Sequence, residues 1–147
     1  MDDTLGKITV VKISFILALI LGSGFAVSAQ AASPTLELND YRTGHGLSMV
    51  REDSRLMAIA QRQADGMAAA NTMSHAVIGN FGSRIAGAGL NGAGENLAYG
   101  NSDFPATLKQ WRNSKGHNAN LLMPGARRWG YARSCSTRCY WVMVIGR

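Results

Sequence analysis

Residues 129–145 have the sequence WGYARSCSTRCYWVMVI, in which two strand-favouring runs flank a short polar segment. The second run, CYWVMVI at 139–145, is apolar or aromatic along almost its whole length. β-Branched and aromatic residues favour strands, and a run without polar alternation is typical of a strand buried on both faces. The stretch therefore predicts two neighbouring strands, over 129–133 and 139–145, and places the second inside the molecule.

The chain has two cysteines, Cys135 and Cys139, and both lie in the segment between these strands. Cysteines that flank three residues can face each other across a hairpin, at the Cα separation of about 5.5–6 Å that disulfides favour. Two cysteines are too few for a disulfide-framework protein or a four-thiolate zinc site. We therefore predict a structural disulfide between Cys135 and Cys139.

Upstream of the strands, three segments have apolar residues at helical spacing. The longest has them at 56, 59, 60, 64, 67 and 68, and Asn71 is a residue type that ends helices. The predicted helices are 34–44 after the N-cap Ser33, 55–70 after Asp53 or Ser54, and 104–116 after Asp103. Together with the strands they indicate a single α+β domain.

Residues 79–94 contain six glycines and predict a loop with at most one short strand. A phosphate-binding loop is the alternative, but no Gly-Lys-Ser/Thr pattern follows and no buried strand precedes the glycines. A further turn is predicted over 117–122, before Pro124 and Gly125.

Residues 1–31 have the features of a secretory signal peptide: two lysines, an apolar run at 13–27 and then Ala29-Gln30-Ala31. The apolar run is shorter than the about 20 residues of a membrane-spanning helix, and an uncleaved anchor is the alternative. We predict cleavage after Ala31, a mature domain over 32–147, and a secreted or periplasmic location. Export also favours oxidised cysteines.

The 147 residues include 15 Lys and Arg against 9 Asp and Glu, which gives a formal net charge of +6. This length allows one domain. The charged fraction of 16% and the apolar fraction of 46% are those of a globular protein and exclude disordered, collagen-like and coiled-coil chains. No basic run of five residues or nucleic-acid-binding motif accompanies the charge, so we expect no nucleic-acid partner.

Three histidines, His45, His75 and His117, and one acid, Glu95, are candidates for a functional site. His45 lies in a predicted turn and is interpreted as a surface residue. The other three are spread over 43 positions, and such spacing alone is more typical of surface or core residues than of a site.

Several short motifs, each loose by itself, occur in an order that resembles a known family. The motifs are LNDYR at 38–42, HGL at 45–47, SH at 74–75, Phe81 with Arg84, GEN at 94–96, WRNSKGHNANLL at 111–122 and YW at 140–141. The sequence resembles the CAP superfamily of cysteine-rich secretory proteins, antigen five and plant pathogenesis-related proteins. It is most similar to the short bacterial SCP-domain members, over about residues 36–146.

The resemblance implies a three-layer α-β-α sandwich with a small central antiparallel sheet. It also implies that His75, Glu95 and His117 converge in one cleft, where the two histidines can hold a divalent ion, usually Zn²⁺. Glu95 would either bind the ion or orient a histidine ring. Members with the complete site have two histidines and two glutamates, and the second glutamate stands at the position of Ser114. The resemblance therefore implies that one acid of the site is missing here. The last strand also departs from the family's sequence pattern, because Val142-Met143 replace a Thr-Gln pair that is frequent there.

Two classes of function compete on this basis. The first is a secreted, non-enzymatic binding module, since the resemblance implies lipid or sterol binding in some members. Its partner would be a lipid or a cell-envelope component, its fold would not require Zn²⁺, and we expect a monomer. The alternative is a metal-assisted, peptidase-like hydrolase that uses the same cleft, in which an ion activates water. A purely structural envelope protein is a third interpretation.

Overall fold

The computed structural model describes residues 33–147, so the predicted signal peptide lies outside the described residues. No helix in this part of the chain is long and apolar enough to cross a membrane. The described residues form five helices and four strands: α1 (Pro34–Thr43), β1 (Arg51–Glu52), α2 (Ser54–Ala70), α3 (Phe81–Ile85), β2 (Ala93–Tyr99), α4 (Phe104–Arg112), α5 (Lys115–Leu121), β3 (Arg128–Cys135) and β4 (Cys139–Gly146).

The four strands form one sheet in the order β1-β3-β4-β2. The β3–β4 hairpin and the β2–β4 pair are antiparallel, as predicted. The prediction of a wholly antiparallel sheet is wrong at one edge, because β1 runs parallel to β3. Parallel neighbours require a crossover between them, and here the chain from α2 to α5 makes that crossover. The sheet is therefore mixed.

Helices cover both faces of the sheet, which confirms the three-layer architecture. On β4, Trp141, Met143 and Ile145 belong to one core cluster together with α1, α4 and α5 residues. The alternate residues Val142 and Val144 belong to a second cluster with α2 residues. Side chains on a strand alternate between faces, so β4 is buried on both sides, as its unbroken apolar run predicts.

The predicted N-caps are confirmed by hydrogen bonds at the starts of three helices. The side chains of Ser33, Asp53 and Asp103 accept from the backbone N–H groups of residues 36, 55 and 56, and 106. Asn71 ends α2 in the left-handed conformation, at φ 47°. These ends were predictable because a cap acts on groups within one helical turn.

Three segments differ from their predictions. The third helix ends at Arg112 rather than near 116, because Asn113 closes α4 and Ser114 precedes a separate helix, α5. The predicted turn over 117–122 is therefore mostly helical. The glycine-rich segment contains the short helix α3, where the Asn80 side chain accepts from the Ser83 N–H.

We expect part of the fold stability to depend on Asp53 at low pH. Burial by itself would raise the pKa of this carboxyl, but hydrogen bonds from the N–H of Leu56, the Arg128 side chain and the N–H of Arg55 outweigh it and the pKa is lowered. A lowered folded-state pKa means that the contribution is present above the unfolded value of about 3.9 and is lost as the pH falls through the folded value.

The Asp53→Asn variant isolates this charge, because Asn caps helices about as well as Asp. It should lower the free energy of unfolding by about 1 kcal/mol or less at pH 7, and this loss should shrink as the pH falls through the lowered pKa of Asp53. Urea titrations of both proteins at pH 7 and pH 2.5 measure the difference. An equal loss at the two pH values would contradict the prediction.

Candidate functional site

The centre of the site is Glu95, whose side chain on β2 is only 2% exposed. Arg84, itself 7% exposed, donates from Nη1 to Oε2 at 2.7 Å and from Nη2 to Oε1 at 2.9 Å. Two parallel N–H···O bonds of this kind fix the carboxylate in position as well as neutralising it. Both carboxylate oxygens therefore accept a hydrogen bond from Arg84.

Arg84 also fixes the loop that carries the first histidine. Its Nε donates to the Gly79 carbonyl at 3.2 Å and its Nη2 donates to the His75 carbonyl at 2.8 Å. The guanidinium carbon lies 5.4 Å from the centre of the Phe81 ring, one turn earlier in α3. Sequence reasoning quoted Arg84 as part of a motif but assigned it no role, although its spacing from Phe81 was visible.

His75 is oriented by Glu95. Its Nδ1 lies 2.7 Å from Glu95 Oε1, and because a carboxylate only accepts, Nδ1 carries the hydrogen. In the neutral ring, Nε2 is then left with its lone pair, and the side chain is 58% exposed. The backbone beside it is held by buried Gln63, whose Nε2 donates to the Ser74 carbonyl at 2.6 Å.

His117, on α5, supplies the second imidazole. Its pKa is lowered, first by burial and then by the nearby charge of His75, so the ring is neutral at pH 7. Within the described residues its buried Nδ1 has no hydrogen-bond partner. The structure thus joins His75 to Glu95 directly and lets the charge of His75 act on the His117 ring, although the two histidines lie on a loop and a helix that are 42 residues apart.

A ladder of amides holds α5 against β2 and so places His117. Asn96 Nδ2 donates to the His117 carbonyl at 2.9 Å, and Asn120 Nδ2 donates to Asn96 Oδ1 at 2.9 Å and to the Glu95 carbonyl at 3.3 Å. A Cβ atom at Gly94 would lie 2.3 Å from Asn120 Oδ1. A side chain at position 94 would therefore displace the Asn120 amide from its hydrogen bonds to Asn96 and the Glu95 carbonyl.

The two remaining candidate residues are Ser114 and His45. Ser114 is the half-buried N-cap residue of α5, but its side chain accepts no cap hydrogen bond. His45 is exposed, with Nδ1 2.8 Å from the Tyr41 carbonyl, and it is outside the group around Glu95.

Cys135 and Cys139 are joined by a disulfide at directly paired positions of the β3–β4 hairpin, with Cα atoms 4.0 Å apart. The bond predicted from the sequence is present. Residues 142 and 143 lie in the two core clusters, on opposite faces of β4. They add apolar packing to both core clusters.

The donor set fits a divalent ion only through its histidines. Within residues 33–147 no group of three or more His, Cys, Asp or Glu side chains is arranged to hold a metal. The Glu95 oxygens accept hydrogen bonds from Arg84 and His75, so only the two imidazoles could serve as protein ligands. Neutral imidazole nitrogens are good zinc ligands, but two of them need water or another molecule to complete a tetrahedron.

The layered fold is that of SCP-domain proteins. An outer surface protein from Borrelia burgdorferi matches with a TM-score of 0.71 and 23% identity, over 77% of this chain and 88% of that one. An extracellular SCP-domain protein from Bacillus anthracis matches with a TM-score of 0.68 and 28% identity, over 78% of this chain and 39% of that one. A cysteine-rich secretory protein from Staphylococcus aureus matches with a TM-score of 0.59 and 20% identity, over 77% and 37%.

A family model described as the cysteine-rich secretory protein family, CAP, matches residues 36–145. The chain therefore belongs to the CAP family, as its motifs indicate. Among curated protein sequences none is significantly similar to it.

Proposed function

We propose that this chain is an exported binding module in which His75 and His117 hold a divalent metal ion, with Zn²⁺ as the ion that suits the donors. The observation that carries the proposal is the Nδ1 contact of His75 with Glu95, 2.7 Å long, which leaves Nε2 of the neutral ring with its lone pair; His117 supports it, because its pKa is lowered by burial and by the charge of His75. Imidazole orientation by a carboxylate is the usual arrangement around protein-bound zinc.

In this proposal Glu95 orients His75 and does not bind the ion. Its side chain is buried and its oxygens already receive hydrogen bonds from Arg84 and His75. An ion held by two imidazoles would present its remaining positions to an anionic or electron-pair-donating group of a ligand. A cell-envelope component or a lipid headgroup would supply such a group.

No observation favours the hydrolase alternative. A general base must have a free acceptor within reach of the water that it activates, and the Glu95 carboxylate is 2% exposed and paired with Arg84. Ser114, at the position of the family's second glutamate, is not acidic. We therefore do not assign a reaction to this site.

Export is part of the proposal. It is supported by the signal-peptide features of residues 1–31, by the disulfide between Cys135 and Cys139, and by the outer-surface and extracellular descriptions of two similar proteins.

Zinc titration by calorimetry at pH 7.5 tests the metal proposal. The mature protein should bind one Zn²⁺, and His75→Ala or His117→Ala should each weaken binding at least tenfold, because one imidazole alone is a poor site. His45→Ala is the matched control, since it removes an exposed histidine outside the group. Absence of zinc binding by the unmodified protein, or an equal loss in the control, would refute the proposal.

A further inference from the structure

A groove separate from the imidazoles runs between α2 and the segment that follows α3. It encloses about 260 Å³. Its floor is made of small and apolar groups, including Ala58, Ile59 and residues 86–88, and its walls carry the arginines Arg55, Arg62 and Arg84. No acidic side chain lines it. The groove is therefore basic on its walls and apolar at its base.

Arg55 and Arg62 lie on the same side of α2, seven residues apart, which is about 10 Å along a helix axis. Both are exposed, and within residues 33–147 neither side chain forms an ion pair or a hydrogen bond. Arg84 differs, because Glu95 neutralises its charge. The unneutralised charge of the groove thus comes from two guanidinium groups.

The nearest acids in sequence form no ion pair with these two arginines. Asp65, three residues after Arg62, accepts from Gln61 Nε2 at 2.9 Å. Asp53, two residues before Arg55, pairs with Arg128 at 3.2 Å. Arg55 and Arg62 carry like charges on one surface, and a bound polyanion would be attracted to both.

We propose that this groove binds a chain of phosphate groups. Guanidinium matches the geometry of phosphate oxygens with two parallel hydrogen bonds. Because both arginines line the groove from one side of α2, two phosphate groups of one flexible chain can each contact a guanidinium group. The site lies on the α2 side of Arg84 and does not require a metal at His75 or His117.

Tripolyphosphate is the probe, with calorimetry at 50 mM and 150 mM NaCl and inorganic phosphate in parallel. The unmodified protein should bind tripolyphosphate at least tenfold more tightly than inorganic phosphate. The double variant Arg55→Gln/Arg62→Gln should lose at least tenfold in affinity. The charge-matched control Arg51→Gln/Arg127→Gln, which removes two exposed arginines that share another surface cavity, should lose less than twofold.

Equal losses in the two double variants would show binding to net charge alone and would overturn the proposal. Inorganic phosphate binding as tightly as tripolyphosphate would overturn the claim for a chain. If the first variant does not fold, chemical-shift perturbation of the unmodified protein by tripolyphosphate decides the question. The largest shifts are expected at residues 55–62 and 84–88, and shifts spread over all exposed arginines would contradict the proposal.

Discussion

Replacing Arg84 by methionine should lower the free energy of unfolding by about 3–5 kcal/mol, the usual result of removing one member of a buried ion pair. The variant would leave Glu95, whose side chain is 2% exposed, with an uncompensated charge. It would also release the carbonyls of His75 and Gly79, which Arg84 now holds. Urea denaturation followed by tryptophan fluorescence measures the change.

A double variant separates the charge from the packing. In Arg84→Met/Glu95→Leu neither charge is buried, so the protein should recover a large part of the lost stability, since apolar replacement of both partners is often close to neutral. The His75 ring would lose its acceptor in this variant. A double variant no more stable than Arg84→Met alone would contradict an electrostatic cause.

Gly130→Ala should destabilise the protein by about 3 kcal/mol or more, at or above the upper end of the usual effect of overpacking. Helix α2 crosses β3 at this residue, and a Cβ atom there would lie 2.2 Å from both the Leu56 carbonyl carbon and the Met57 nitrogen. Both are backbone atoms, so no side-chain rotation can relieve the clash. Thermal unfolding by circular dichroism measures the loss.

Gly116→Ala is the matched control. A Cβ atom at Gly116, inside α5, would meet nothing within 4 Å. Alanine there should leave the stability unchanged or raise it by about 0.5–1 kcal/mol, because Gly is the weaker helix former. Similar losses in the two variants would mean that close packing of α2 on β3 is not the reason for glycine at 130.

Much of the fold could be predicted because its signals are local. The caps Ser33, Asp53 and Asp103 act on N–H groups two or three residues away, and the apolar run of β4 marks a central strand without reference to any partner. Strand β1 could not be found in this way. It is two exposed residues long, and it is a strand only because β3 lies beside it.

The site likewise has a part that the sequence predicted and a part that depends on the tertiary structure. The motifs pointed to His75, Glu95 and His117 through a resemblance to the CAP family, while their own spacing carried almost no information. The role of Arg84 was missed because its partners are the Glu95 carboxylate, 11 residues away, and the carbonyls of Gly79 and His75. No helical or strand periodicity connects those positions.

The sequence alone predicted the N-caps of α1, α2 and α4, the buried hairpin, its disulfide and the family, because each depends on neighbouring residues or on an ordered set of short motifs. Only the tertiary structure decided that Glu95 accepts hydrogen bonds from Arg84 and His75, and that Asn120 lies against Gly94. The physical reason is that hydrogen bonds and ion pairs require approach within about 3 Å, and for distant residues that approach is set by how α3 and α5 pack against β2.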